Sequence, residues 1–126
     1  CVVPSRHGLT GSLFTRTCRV VIKQAQYAED ERPIDPECTC PVCRRYSRAY
    51  LHHLFRVKEM LGARLNTIHN LWYFSELMRQ IREALREGRF PEFRDAFYQN
   101  HTRQAAMAGL AECEEPCGKL DGNGHI

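Results

Sequence analysis

Two short runs of β-type residues stand near the start of the chain. Leu13, Phe14 and Thr15 form the first, and Arg19-Val20-Val21-Ile22-Lys23 the second, apolar in the middle and polar at both ends. Arg16, Thr17 and Cys18 join them without the Gly or Asn of a tight turn, and the pair predicts a small antiparallel hairpin. Residues 29–37 hold Pro33, Asp35 and Pro36, which predicts an irregular acidic loop. From Cys43 the period becomes helical: Tyr46, Tyr50, His53 and Val57 share one face, Leu54 and Leu61 continue an adjacent stripe, and Gly62 interrupts the helix. A second helix is expected over about 66–87, where Ile68, Leu71, Met78, Ile81 and Leu85 recur mostly at three- and four-residue steps. Gly88 supplies a left-handed stop, and Pro91 suits the first turn of a third helix carrying Phe93 and Phe97. After about Arg103 the chain is rich in Ala, Gly and Glu, and 118–126 read as a frayed end. There is no internal repeat.

The 126 residues are 43% hydrophobic and 26% charged, ordinary globular values that fit one domain or a large piece of one. Such a chain buries roughly two-thirds of its unfolded surface, enough for a modest core without disulfides. It starts at Cys1, and Val2 and Val3 lead at once into Pro4, Ser5 and Arg6, which is no signal sequence and suggests a fragment. No apolar run nears the ~20 residues that span a bilayer. The net charge of +3 is unevenly spread: Arg44, Arg45 and Arg48 follow a cysteine cluster, with Arg56, Lys58 and Arg64 further on. That patch suits phosphates or a solvated helix face, and charge alone does not choose.

The cysteines change the picture more. There are seven, an odd number without an export signal, so a secreted disulfide framework is disfavoured. Cys38, Cys40 and Cys43 lie within six residues on a proline-punctuated loop, and after twenty-five intervening residues comes His69. Closely spaced thiolates bend round one tetrahedral ion, and an imidazole from a returning helix closes it. Three free buried cysteines are the plain alternative, disfavoured by the clustering. Spacing leaves His52 and His53 as rival fourth ligands. With four protein ligands the site has no open position, so it would be structural, binding zinc with on the order of 10 kcal/mol to order the region. Cys113 and Cys117 read as plain thiols in the tail.

Cys1-Val2-Val3-Pro4-Ser5-Arg6 and Gly11-Ser12-Leu13-Phe14-Thr15 together resemble the segment after the nucleophile in tRNA-guanine transglycosylases (queuine tRNA-ribosyltransferases). Asp35-Pro36-Glu37-Cys38-Thr39-Cys40-Pro41-Val42-Cys43 is similar to the family's zinc loop. Ser47-Arg48-Ala49-Tyr50-Leu51-His52-His53-Leu54 and Leu61-Gly62-Ala63-Arg64-Leu65-Asn66-Thr67-Ile68-His69-Asn70 resemble its two following helices. The likeness runs from Cys1 to about Phe97 and selects His69 as fourth ligand.

The resemblance implies an α+β fragment. Residues 1–30 would be the end of an irregular (β/α)8 TIM barrel with the wobble-base recognition loop and hairpin, 31–103 a zinc-binding subdomain of about three helices, and 104–126 a flexible tail. It implies a cytoplasmic enzyme that exchanges guanine at the tRNA wobble position for a 7-deazaguanine base. An aspartate there attacks the ribose C1′, forms a covalent glycosyl-enzyme intermediate and yields to the incoming base. That aspartate is expected immediately before Cys1, so no catalytic residue lies in this chain. Ser5, Arg6, His7, Gly8 and Leu9 match the RNA-reading stretch, with Leu9 where the family usually has arginine. Thr17-Cys18 stand where it commonly has Asp-Gly. Tyr46, Tyr50 and His53 match an aromatic cluster at a homodimer contact; packing of Tyr46 and Tyr50 on the second helix is the competing account. Two other readings remain open here: the non-catalytic companion subunit of a two-protein transglycosylase, and a free-standing zinc-binding RNA module.

Overall fold

The computed structural model describes the backbone of residues 2–107 and the side chains of 2–101. Cys1, Cys113, Cys117 and the expected frayed tail lie outside the described residues. The order is helix α1 (Val3–Thr10), strands β1 (Ser12–Phe14) and β2 (Arg19–Val21), a 3-10 turn at Ala25–Tyr27, then helices α2 (Pro41–Arg45), α3 (Arg48–Arg56), α4 (Met60–Arg86) and α5 (Phe90–Met107). Among the described residues it is a small α+β arrangement with one two-stranded sheet.

The hairpin forms as expected, antiparallel, with Leu13 opposite Val20. The Thr15 hydroxyl does what Gly or Asn would do in its turn: Oγ1 donates to the Cys18 carbonyl (2.6 Å) and accepts from the Cys18 N–H (3.0 Å). Leu13, Val20, Ile22, Ile34, Val42 and Leu51 are buried together, so the hairpin, the acidic loop and the short helices share one core.

Residues 5–9 correct the expectation of a loop, because they lie in α1. Pro4 stands in the first turn with φ already suited to a helix, and Gly11 ends it at φ 85°, in the left-handed region. Packing holds the element in place. A Cβ on Gly8 would sit 2.6 Å from Thr67 Oγ1 and 2.8 Å from the Thr67 backbone, so only glycine lets α1 lie this close to α4.

The helix expected from Cys43 is two helices. Tyr46 is extended (φ −125°, ψ 142°), and the Ser47 hydroxyl caps α3 by accepting from the Tyr50 N–H at 3.2 Å. Gly62 does not interrupt it: the break comes at Lys58, at φ 58°, and Gly62 lies inside α4, where a Cβ would press to 3.1 Å from Leu54 Cβ. Gly88 is left-handed at φ 70° as expected, and α5 carries Phe93 and Phe97, whose rings stack.

The burial of α4 reverses the expected sidedness. Ile68, Leu71, Met78 and Leu85 are exposed, with Trp72 beside them. The buried face toward α1 and the hairpin carries Leu65, Asn66, His69 and Asn70.

Candidate metal centre

The acidic loop is fixed before it reaches the cysteines. Asp35, 5% exposed, accepts from the Arg16 N–H through Oδ2 (3.1 Å) and from the Glu37 N–H through Oδ1 (3.0 Å), and the Cys38 N–H turns back to the Asp35 carbonyl. Further back, Asp30 accepts from Arg32 and Arg48, and Arg48 donates to the Ile34 carbonyl. The Arg32 hydrogen bond is the main cause of an Asp30 pKa lowered to about 2. Both aspartates are structural acids of the loop.

Cys40 caps α2, its Sγ accepting from the Cys43 N–H at 3.3 Å, and Pro41 starts the helix. This short turn brings Cys40 and Cys43 to one side while the loop carries Cys38 over them. His69 arrives from α4, fully buried. Its Nε2 lies 2.7 Å from the Phe14 carbonyl, which only accepts, so Nε2 holds the proton and Nδ1 turns its lone pair to the sulfurs. Nδ1 is 3.4 Å from Cys40 Sγ, 3.4 Å from Cys43 Sγ and 3.9 Å from Cys38 Sγ, and all four ligand atoms lie within 4.8 Å of one another. Tetrahedral zinc, with sulfur at about 2.3 Å and nitrogen at about 2.1 Å, sets S···N near 3.6 Å.

The protons of this cluster conflict without a cation. Hydrogen bonds from the Cys38 and Cys43 thiols, with backbone N–H help, pull Cys40 down to about 3. The Cys38 and Cys40 thiols, together with burial, push Cys43 up. A divalent ion removes the conflict by making every thiolate favourable, so the group fits a metal in chemistry as well as in distance. His52 is committed elsewhere, with Nδ1 2.7 Å from the Ile22 carbonyl, and His53 is exposed.

Asn70 was not singled out from the sequence for this role. Fully buried, it donates through Nδ2 to the Pro4 carbonyl (3.1 Å) and the Ser12 carbonyl (3.0 Å), and its Oδ1 accepts from the Phe14 N–H (3.1 Å). It therefore holds α1, β1 and α4 together next to His69 and steadies the strand residue whose carbonyl orients that imidazole. The available signal was a polar pair, Asn66 and Asn70, four apart on the helix face that also carries His69.

The family model described as queuine tRNA-ribosyltransferase matches residues 1–103. The chain belongs to the queuine tRNA-ribosyltransferase family. It is 54% identical over 103 residues to the queuine tRNA-ribosyltransferase of Chromobacterium violaceum, covering 82% of this chain and 28% of that protein. Against the protein of that name from Herminiimonas arsenicoxydans it is 53% identical over 105 residues, 83% of this chain and 28% of the relative. For Francisella tularensis subsp. novicida the identity is 48% over 101 residues, 80% and 28%. The chain thus spans little more than a quarter of these relatives.

In this family member the five residues matched to RNA reading sit on α1 in unequal settings. Arg6 and Leu9 are exposed, whereas Gly8 is buried on Thr67. The Ser5 hydroxyl donates back to the Val2 carbonyl. His7 is half-buried: Arg19, which only donates, lies 2.9 Å from its Nδ1, and Phe14 meets its ring edge-on. Burial first, then Arg19 and Arg6, lowers its pKa, so the ring is held neutral. Tyr46 and Tyr50 stack on each other at 5.3 Å across the α2–α3 break; Tyr46 is half-buried against the core, while Tyr50 and His53 face outward. Among the described residues no helix is long and apolar enough to cross a membrane.

Proposed function

We propose that this chain is the C-terminal part of a tRNA-guanine transglycosylase, in which it supplies a zinc-stabilised subdomain, contacts to tRNA and a homodimer surface. The observation that carries the reading is the Cys38, Cys40, Cys43 and His69 cluster, tautomer already set, in a chain of this family. Zinc is the metal this donor set favours: three thiolates and one imidazole are soft to borderline and fill a tetrahedron. When bound, it lends cohesion and no reactivity, because no coordination position is left for water or substrate.

The division into barrel end (1–30), zinc subdomain (31–103) and tail (104–126) is part of the proposal. The exposed apolar stripe of α4, with Leu71, Trp72, Met78 and Leu85, supports it, since a continuous surface of that kind belongs against further protein such as the rest of a (β/α)8 barrel. The nucleophilic aspartate is assigned to the position before Cys1. Arg6, exposed on α1, is assigned to the tRNA beside the wobble guanine, as a planar cation for phosphate or a base edge. Tyr46, Tyr50 and His53 are assigned to the contact with a second copy, where aromatics with polar tips are favoured.

Exchange of labelled guanine into tRNA tests the reading. The 126-residue chain alone should leave tRNA unlabelled, and the same chain joined to an upstream barrel with aspartate before Cys1 should label it. Arg6→Ala in the joined protein should raise KM for tRNA about 5- to 150-fold, from the loss of a contact of about 1–3 kcal/mol. Exchange by the chain alone overturns this assignment of roles.

A further inference from the structure

A cleft of about 590 Å³ lies between the hairpin turn, the cysteine loop and the facing sides of α4 and α5. Arg16, Glu37 and Cys38 line its hairpin and loop side, Tyr73 its α4 side, and Phe93 and Phe97 its α5 side. Of the four candidate metal ligands Cys38 borders the cleft, whereas Cys40, Cys43 and His69 do not. Burial agrees: Cys38 is half-buried, while Cys40 and His69 are 0% exposed. Tyr46, Tyr50 and His53 stand outside the lining, and of the α4 stripe assigned to further protein Trp72 alone borders it.

Two features set Cys38 apart chemically. Its Sγ is the sulfur farthest from His69 Nδ1, at 3.9 Å against 3.4 Å for Cys40 and Cys43. Cys40 Sγ also accepts from the Cys43 N–H at 3.3 Å, which draws electron density from that sulfur and makes it the weaker nucleophile. A cysteine's reactivity follows its thiolate character and its access, and Cys38 has both once a metal is held. A molecule the size of one or two waters, about 30 Å³ each, enters a space this large freely.

We infer that Cys38 is an oxidation site reached through this cleft, where a small hydroperoxide turns the metal-holding thiolates into a disulfide and frees the ion. The inference rests on the zinc reading above. The Cys38 thiolate attacks one peroxide oxygen: an S–O bond forms, the O–O bond breaks, and the second oxygen leaves as hydroxide. A neighbouring thiolate, Cys40 or Cys43, then attacks the sulfenic sulfur, forms the S–S bond and expels a second hydroxide. The two thiolates lose two electrons, and the peroxide is reduced to two hydroxides that become water on protonation by solvent. The ligand atoms already lie within 4.8 Å of one another, so the second step needs little movement. Two ligands of the four then remain, too few to hold the ion.

Hydrogen peroxide added to the zinc-loaded chain tests this, with zinc release followed by a chromophoric chelator and sulfenic acid trapped by dimedone for tandem mass spectrometry. Within the cluster the first label should fall on Cys38, and zinc should leave as a disulfide from Cys38 to Cys40 or Cys43 accumulates. Ala96→Trp fills the α5 side of the cleft from an exposed position and should slow release about tenfold, equivalent to about 1.4 kcal/mol in the barrier. Gln99→Trp, exposed on the same helix but outside the lining, should release zinc at the wild-type rate. A chain that holds no zinc before peroxide is added overturns the zinc reading itself. In a zinc-loaded chain, first labelling of the cluster at Cys40 or Cys43, zinc kept through the oxidation, or equal rates in Ala96→Trp and wild type overturns the oxidation site and leaves that reading standing.

Discussion

Asn70→Ala should weaken this subdomain more than any apolar truncation on α4. The wild-type side chain makes three hydrogen bonds in a site closed to water, two to carbonyls of Pro4 and Ser12 and one from the Phe14 N–H. Truncation strips the Phe14 N–H of a buried acceptor, at about 1–3 kcal/mol, and takes one donor from each carbonyl, at about 0.5–1.5 kcal/mol apiece. The sum is about 2–6 kcal/mol, against 5–15 kcal/mol for whole domains. The loss should reach the metal, because Phe14 also offers the carbonyl that orients His69; zinc affinity is expected to fall about 10- to 100-fold, as for other outer-shell changes. Asn70→Asp separates hydrogen bonding from volume: it keeps the acceptor for Phe14 but turns oxygen toward two carbonyls, so it should be at least as damaging as Ala. Urea unfolding of the zinc-loaded protein and competition with a chromophoric chelator measure the two effects. A shift below about 0.5 kcal/mol in Asn70→Ala, within the range of ordinary surface changes, would refute the reasoning.

Gly8→Ala places a methyl 2.6–2.8 Å from Thr67 and should cost about 1–3 kcal/mol in the same unfolding assay, despite alanine's better helix propensity; a stabilised variant would mean α1 is free to move. Tyr46→Ala and Tyr50→Ala, in a protein carrying the upstream barrel, should shift sedimentation toward monomer with zinc retained, and joint loss of zinc and fold would make the pair core instead. His7, with its pKa held below the ordinary imidazole value of about 6.5 by burial and then by Arg19 and Arg6, contributes stability that is complete above that value and is lost as pH falls through the folded one. His7→Gln should therefore flatten the decline below about pH 6.5, and an unchanged profile would show that the imidazole is not held neutral.

What could be read in advance, and what could not, follows from the range of the interactions. The hairpin, the loop ending on Cys38 and the Gly88 stop rest on neighbouring residues, and local chemistry is enough for them. Helix α1 escaped notice because Gly8 looks like a breaker until Thr67, fifty-nine positions on, is seen against it. The sidedness of α4 was missed for a related reason. Its apolar stripe is regular, but the face buried in this chain is chosen by Asn66, His69 and Asn70, whose partners lie on α1 and β1 or among the cysteines. Three of the candidate metal ligands were legible because they stand within six residues. The fourth was not separable from His52 and His53 by spacing, and needed the family likeness; in the structure His69 lies among the three thiols and His52 lies against the Ile22 carbonyl.

The central claim, a closed zinc site that orders this part of the family's fold, is tested most directly by elemental analysis with X-ray absorption at the zinc edge on the purified chain. The expected result is one zinc per chain, with three sulfurs at about 2.3 Å and one nitrogen at about 2.0–2.1 Å. The nitrogen should disappear in His69→Ala and persist in His52→Ala and His53→Ala. A folded chain without metal, or an oxygen ligand in place of the His69 nitrogen in the wild type, would contradict it.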